Sequence, residues 1–215
     1  MVPSAGRVQA GGLELTSGNG QVRVFVALDL PQDAKDLLNE TMLQLQAGLP
    51  NGIRWVRPDG IHLTLKFLGD VDAGMVEPLL ETMGRVATLA EPSCFDMQLT
   101  RLGMFPNARE PRVLWAGVGG DMAALARLQQ SVDEAISGLG FPPERRPFRP
   151  HLTLGRVRDQ VNAPDRKKIG DQVSQATLGE SPPWTVREMH LIQSNLTPAG
   201  AIYSSLGVAP LAPSH

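Results

Sequence analysis

His62-Leu63-Thr64-Leu65 returns once more in the chain, as His151-Leu152-Thr153-Leu154. Alternate side chains of a β-strand share a face. His62 and Thr64 therefore point one way, and Ile61, Leu63 and Leu65 point the other way into a core. The second copy repeats this with His151 and Thr153 set against Leu152 and Leu154. Two strands that each present an imidazole and a hydroxyl can line one polar cleft between them. A lone His-x-Thr carries little information, but two copies in strands bounded by turn residues carry much more.

The segments around the motifs set the fold class. Val22–Leu30 is nearly continuous apolar sequence and reads as a buried central strand. Pro31 opens a helix to about Gly48, with Ala34, Leu37, Leu38, Met42 and Leu45 at helical spacing. Ile53–Val56 is a short strand, Pro58-Asp59-Gly60 a turn, and Ile61–Leu68 the first motif strand. A helix over Met75–Leu89, strands over Phe95–Leu102 and Val113–Val118, and a helix over Asp121–Gly138 follow. Gly103–Pro111 and Gly138–Pro150 read as loops, and Pro150 stands at a strand start, where it removes no interior ladder bond. Asn162 caps a polar helix with Pro164 near its start, and Trp184–Asn195 and Ala201–Val208 are the last strands. This order predicts a bilobal α+β fold. Two antiparallel sheets with pseudo-two-fold symmetry carry one motif each, helices lie outside, and the cleft runs between the lobes.

Composition bounds the rest. The 215 residues are 42% hydrophobic, enough for one core or two small lobes. Residues 1–20 are rich in Gly and Ser and lack the apolar segment of a signal peptide, so they are expected to form a disordered leader. Residues 21–208 form a single bilobal domain in this reading, and 209–215 a flexible tail. No apolar run approaches the roughly 20 residues that span a membrane. The lone Cys94 makes no internal disulfide, fits a cytoplasmic location, and reads as a packing residue. A net charge of −2 argues against a protein that grips duplex DNA through many phosphates. Positive charge is concentrated around the second motif, in Arg145, Arg146, Arg149, Arg156, Arg158, Arg166, Lys167 and Lys168, against three acids. A local field of that sign favours an anionic substrate.

Two imidazoles facing one cleft suit in-line displacement at phosphorus. One ring acts as base on the attacking side and the other as acid on the leaving side, because an unperturbed pKa near about 6.5 lets each state be populated near neutral pH. The hydroxyls of Thr64 and Thr153 are donors for the non-bridging oxygens. The sequence has no His-Glu-x-x-His, paired Cys or His-x-His, so no metal or other cofactor is expected.

Arg54-Trp55-Val56-Arg57-Pro58-Asp59-Gly60-Ile61-His62-Leu63-Thr64-Leu65-Lys66-Phe67-Leu68-Gly69 resembles the first signature of the RNA 2′,3′-cyclic phosphodiesterases, members of the two-histidine phosphoesterase superfamily, some of them named 2′-5′ RNA ligases. Phe148-Arg149-Pro150-His151-Leu152-Thr153-Leu154-Gly155-Arg156 is similar to the second signature, and Arg101–Pro106 and Ser194–Tyr203 are similar to further family segments. The resemblance covers roughly Val22–Leu206. It implies hydrolysis of an RNA 2′,3′-cyclic phosphate to a 2′-phosphate, with His62 as proton donor to the leaving 3′-oxygen and His151 as the base that activates water. It also implies that Arg156 contacts phosphate and that Phe67 lies near the nucleobase. RNA ends or cyclic nucleotides would be the substrates of a monomer.

Strand parity stands against the last two roles. Each residue is five positions after its histidine, and a regular strand puts it on the opposite face. Gly155 can supply a bulge before Arg156, whereas Phe67 has only Gly69 after it. His190 reads as a structural strand residue, His215 as a mobile terminus, and Trp55 and Trp115 as strand-interior residues. Two other functions fit the same residues: 2′-5′ ligation of a cyclic phosphate to a 5′-hydroxyl, and a module that holds RNA ends without chemistry. A small cyclic substrate such as ADP-ribose cyclic phosphate also fits the hydrolytic reading.

Overall fold

In the computed structural model the described residues are 9–10, 20–89, 93–197 and 200–213. The strands are β1 (Gln9–Ala10), β2 (Gln21–Leu28), β3 (Ile53–Trp55), β4 (Leu63–Asp72), β5 (Phe95–Phe105), β6 (Val113–Gly120), β7 (His151–Val157), β8 (Trp184–Val186), β9 (Glu188–Thr197) and β10 (Gly200–Pro210). The helices are α1 (Gln32–Gly48), α2 (Val76–Leu89), α3 (Met122–Ser137) and α4 (Ala163–Gln175).

Among the described residues the strands form one curled antiparallel sheet in the order β1-β10-β9-β2-β4-β7-β6-β5-β8, with β3 paired to β7. The two sheets expected from the sequence are the two halves of this sheet. In one half β10, β9 and β2 lead to β4, and in the other β8, β5 and β6 lead to β7. The halves meet at the backbone pair Leu63–Leu152, the middle of each motif. Beyond that pair β4 and β7 splay, and β3 fills the gap against the far end of β7, pairing Ile53 with Val157, Arg54 with Arg156 and Trp55 with Gly155.

Period-two alternation explains the layers. Val22, Val24, Val26 and Leu28 of β2 are buried beneath the helices, together with Leu63 and Leu65 of β4 and Leu152 and Leu154 of β7. Leu79, Leu80 and Met83 of α2 and Leu125, Leu128 and Val132 of α3 close the same apolar cluster. Phe25, Ala27 and Ile192 form a smaller cluster on the opposite, concave face. Caps fix two helix starts: Asp121 accepts from the Ala124 N–H and Asn162 from the Asp165 N–H, both at 2.8 Å.

Some elements run further than the sequence reading. β5 continues through Phe105 into the segment read as a loop, because Gly103, Met104 and Phe105 pair with Trp115, Leu114 and Val113 of β6. β10 runs to Pro210. Ala209 and Leu211 are buried, Leu211 N–H donates to the Arg187 carbonyl at 2.8 Å, and Cys94 N–H to the Ala212 carbonyl at 2.8 Å. The chain is thus held where a flexible tail was expected. Most of the expected leader lies outside the described residues, and Gln9–Ala10 pairs with Gly207–Val208 of β10. His215 lies outside the described residues. No described helix is long and apolar enough to cross a membrane.

Candidate active site

The Leu63–Leu152 pair fixes the geometry of the site. Stepping one residue either way along an antiparallel register sets His62 opposite Thr153 and Thr64 opposite His151. Leu63 and Leu152 are buried on the helix side, so the four polar side chains face the concave side. All four line one cavity, with Arg156, Phe67, Tyr203 and Ser194.

Both strands then break parity at the same place. On β4, Ala27 faces Thr64 and Val26 faces Lys66, so Leu65 is an extra, bulged residue. On β7, Trp115 faces Thr153 and Leu114 faces Gly155, so Leu154 is extra. Each bulge falls three residues after its histidine and returns the fifth residue to the concave face. Arg156 reaches the cavity this way, and so does Phe67, which is 69% exposed and is not a core residue. The bulge on β4 forms without a glycine, which is why the sequence showed no sign of it.

The histidines are held alike. His151 Nδ1 is 2.8 Å from the Arg149 carbonyl, which can only accept, so Nδ1 carries a proton and Nε2 is left for the cleft. His62 is bonded to the Gly60 carbonyl, also two residues upstream. Their surroundings differ. The His62 ring stacks on Phe25 at 4.5 Å and meets the Tyr203 ring edge-on at 5.0 Å. This burial lowers its pKa to about 4, against the raising effects of the Gly60 bond and Asp29 and with a further lowering by Lys35. His62 is therefore neutral near pH 7 in the free site. The His151 ring meets the Phe105 ring edge-on at 5.0 Å. Burial raises the pKa of Tyr203, and the nearby Arg156 opposes that rise.

A family model described as LigT like Phosphoesterase matches residues 28–115 and 120–203, a span that holds both motifs. The chain belongs to this family. It is 34% identical over 188 residues to a Methanothermobacter thermautotrophicus protein named RNA 2′,3′-cyclic phosphodiesterase, covering 87% of this chain and 98% of that protein. It is 34% identical over 187 residues to an Archaeoglobus fulgidus protein of the same name, covering 87% and 99%. The E. coli LigT crystal structure in apo form superposes with a TM-score of 0.71 at 26% identity, over 90% of this chain and 99% of that one. The same E. coli protein complexed with 3′-AMP gives a TM-score of 0.68 at 26% identity, over 89% and 98%.

Phe25, Arg23, Ser194 and Tyr203 also line the cavity of this LigT-like protein, and sequence reasoning gave them no role. Phe25 was hidden inside an apolar run that reads as buried on both faces. Tyr203 and Ser194 face one another across β9 and β10, a register that the sequence does not reveal. His190 lies away from the cavity, with Nε2 3.2 Å from Glu188 Oε1. Trp55 and Trp115 lie within β3 and β6. Among the described residues no three His, Cys, Asp or Glu side chains gather as metal ligands would.

Proposed function

We propose that this cleft opens the 2′,3′-cyclic phosphate of an RNA end to a 2′-phosphate by acid–base catalysis with two histidines and no metal. The observation that carries this reading is the mirrored placement of two His-x-Thr pairs on one cavity about the Leu63–Leu152 pair. The name shared by the relatives, and the 3′-AMP complex of E. coli LigT, support the substrate class.

In this reading the phosphate sits between the two rings. His151 accepts the proton of a water through Nε2, and the water oxygen bonds to phosphorus. The bond from phosphorus to the 3′-oxygen breaks, and His62 delivers a proton to that oxygen. Thr64, Thr153 and Arg156 donate to the non-bridging oxygens, where charge builds up in the transition state. Phe67 packs against the base. His62 must be an imidazolium to act as donor, yet burial keeps it neutral in the free site. The anionic phosphate supplies the missing stabilisation, so His62 takes up a proton from solvent as the substrate binds.

Incubation with a nucleoside 2′,3′-cyclic phosphate in excess EDTA tests this directly. The expected product is the 2′-phosphate, and His62→Ala and His151→Ala should each lower turnover by about 10²–10⁴-fold while remaining folded. Full activity in either variant, or activity lost to EDTA and restored by a metal, would refute it.

A further inference from the structure

Arg54 and Arg156 stand directly opposite one another where β3 pairs with β7. Residues that pair in this way share a face of the sheet, and their Cβ atoms lie only about 5 Å apart. The flanking contacts fix which face it is. A Cβ on Gly155 would meet Ile53 Cγ2 at 2.9 Å and Trp55 Cε3 at 3.2 Å, so Ile53 and Trp55 lie on the core side. Arg54, between them, is exposed on the concave side with Arg156. Among the described residues neither guanidinium has an acidic partner within 4.0 Å, while nearby Arg57 reaches Asp59 at 3.6 Å. Like charges directly opposite in a ladder are destabilising, and anions bound to the two guanidinium groups remove the penalty.

We infer that Arg54 binds a second phosphate of the substrate, the one that links the terminal nucleoside to the residue on its 5′ side. The inference rests on the function proposed above. Arg156 lines the cavity with both histidines and takes the reacting phosphate. Arg54 lies beside it but outside that lining. A cation placed there has nothing to bind on a cyclic mononucleotide. On an RNA strand it meets the next phosphate, and a guanidinium fork suits that group. The chain then prefers oligonucleotide ends over cyclic mononucleotides.

The test compares kcat/KM on a cyclic mononucleotide with that on a trinucleotide ending in a 2′,3′-cyclic phosphate. In Arg54→Gln the ratio of trinucleotide to mononucleotide kcat/KM should fall about tenfold, and Arg54→Lys should recover most of it. Binding of a trinucleotide ending in 2′-phosphate should show a salt slope shallower by about 0.7 in Arg54→Gln, the loss of one phosphate contact on a single strand. If the wild type opens both substrates and the ratio and slope are unchanged in Arg54→Gln, the inference is wrong and the cleavage reading stands. A wild type that opens neither substrate overturns both.

Discussion

Leu65 and Leu154 are the same residue of two copies of one motif, and each is the extra residue of a β-bulge. Their carbonyls are taken up differently: Leu154 accepts from the Val56 N–H at 2.8 Å and Leu65 from Gln129 Nε2 at 3.5 Å. The effect on the site is equal. Each bulge turns the strand so that residues one, three and six of a seven-residue run share the concave face. His62, Thr64 and Phe67 line the cavity from one side, and His151, Thr153 and Arg156 from the other.

Gly155 follows the second bulge with little room for a side chain, since a Cβ would meet Ile53 Cγ2 at 2.9 Å and Trp55 Cε3 at 3.2 Å. Gly155→Val must push β3 away from β7 and carry Arg54 from Arg156. Overpacking of this kind costs about 1–3 kcal/mol, and about 2–4 °C in Tm per kcal/mol at this size. Thermal melts should show a drop of that order, and an unchanged Tm would mean that β3 is not held as described.

The neutral His62 of the free site predicts proton uptake on anion binding. Its pKa of about 4 must rise when an anion arrives, because the charged ring is then favoured. Sulfate serves as probe because it does not titrate near neutral pH. Calorimetry at pH 6.5 to 7 in buffers of different ionisation enthalpy should show protons taken up, and sulfate affinity should weaken as pH rises. His62→Gln should remove most of the uptake. Uptake that survives in this variant would place the titrating group elsewhere.

Arg156→Lys keeps the charge but loses the planar fork. Charged hydrogen bonds contribute about 1.5–3 kcal/mol, so losing one lowers kcat/KM about 10- to 100-fold. Steady-state kinetics check this, and a variant as active as the wild type would mean that Arg156 supplies only a field.

The fold class and both motifs were legible because they rest on strict periodicities. Ile61, Leu63 and Leu65 are buried as alternation demands, and α3 buries Leu125, Leu128 and Val132 as its spacing demands. What was hidden depends on register between distant segments. Nothing local to β4 reveals a bulge at Leu65, so the position of Phe67 could not be derived from strand parity. The pairing of β3 with β7 joins residues about one hundred positions apart, so no local pattern singles out Arg54. Continuation of β10 through Pro210 depends on β9 beside it.

Lys66 supplies the last prediction. The bulge at Leu65 sends this lysine to the helix side, where its side chain is 3% exposed and pairs with Asp133 of α3. Its Nζ also donates to the Pro142 carbonyl at 3.0 Å, and Asp133 accepts from the Glu144 N–H at 3.1 Å. Pro142 and Glu144 belong to the segment that leads to His151, so this buried pair ties the strand of one motif to the approach of the other. Lys66→Met alone leaves a mostly buried carboxylate unpaired, at a cost of about 3–5 kcal/mol. Lys66→Met with Asp133→Leu removes both charges, and apolar replacement of buried pairs is often neutral for stability. The double variant should therefore recover most of the lost Tm. Its turnover should remain at least about tenfold low, because the segment before His151 has lost its anchors and small misplacements of catalytic groups are costly. Melts and kinetics on the two variants decide the matter: activity that returns in step with stability would reduce the pair to a structural role.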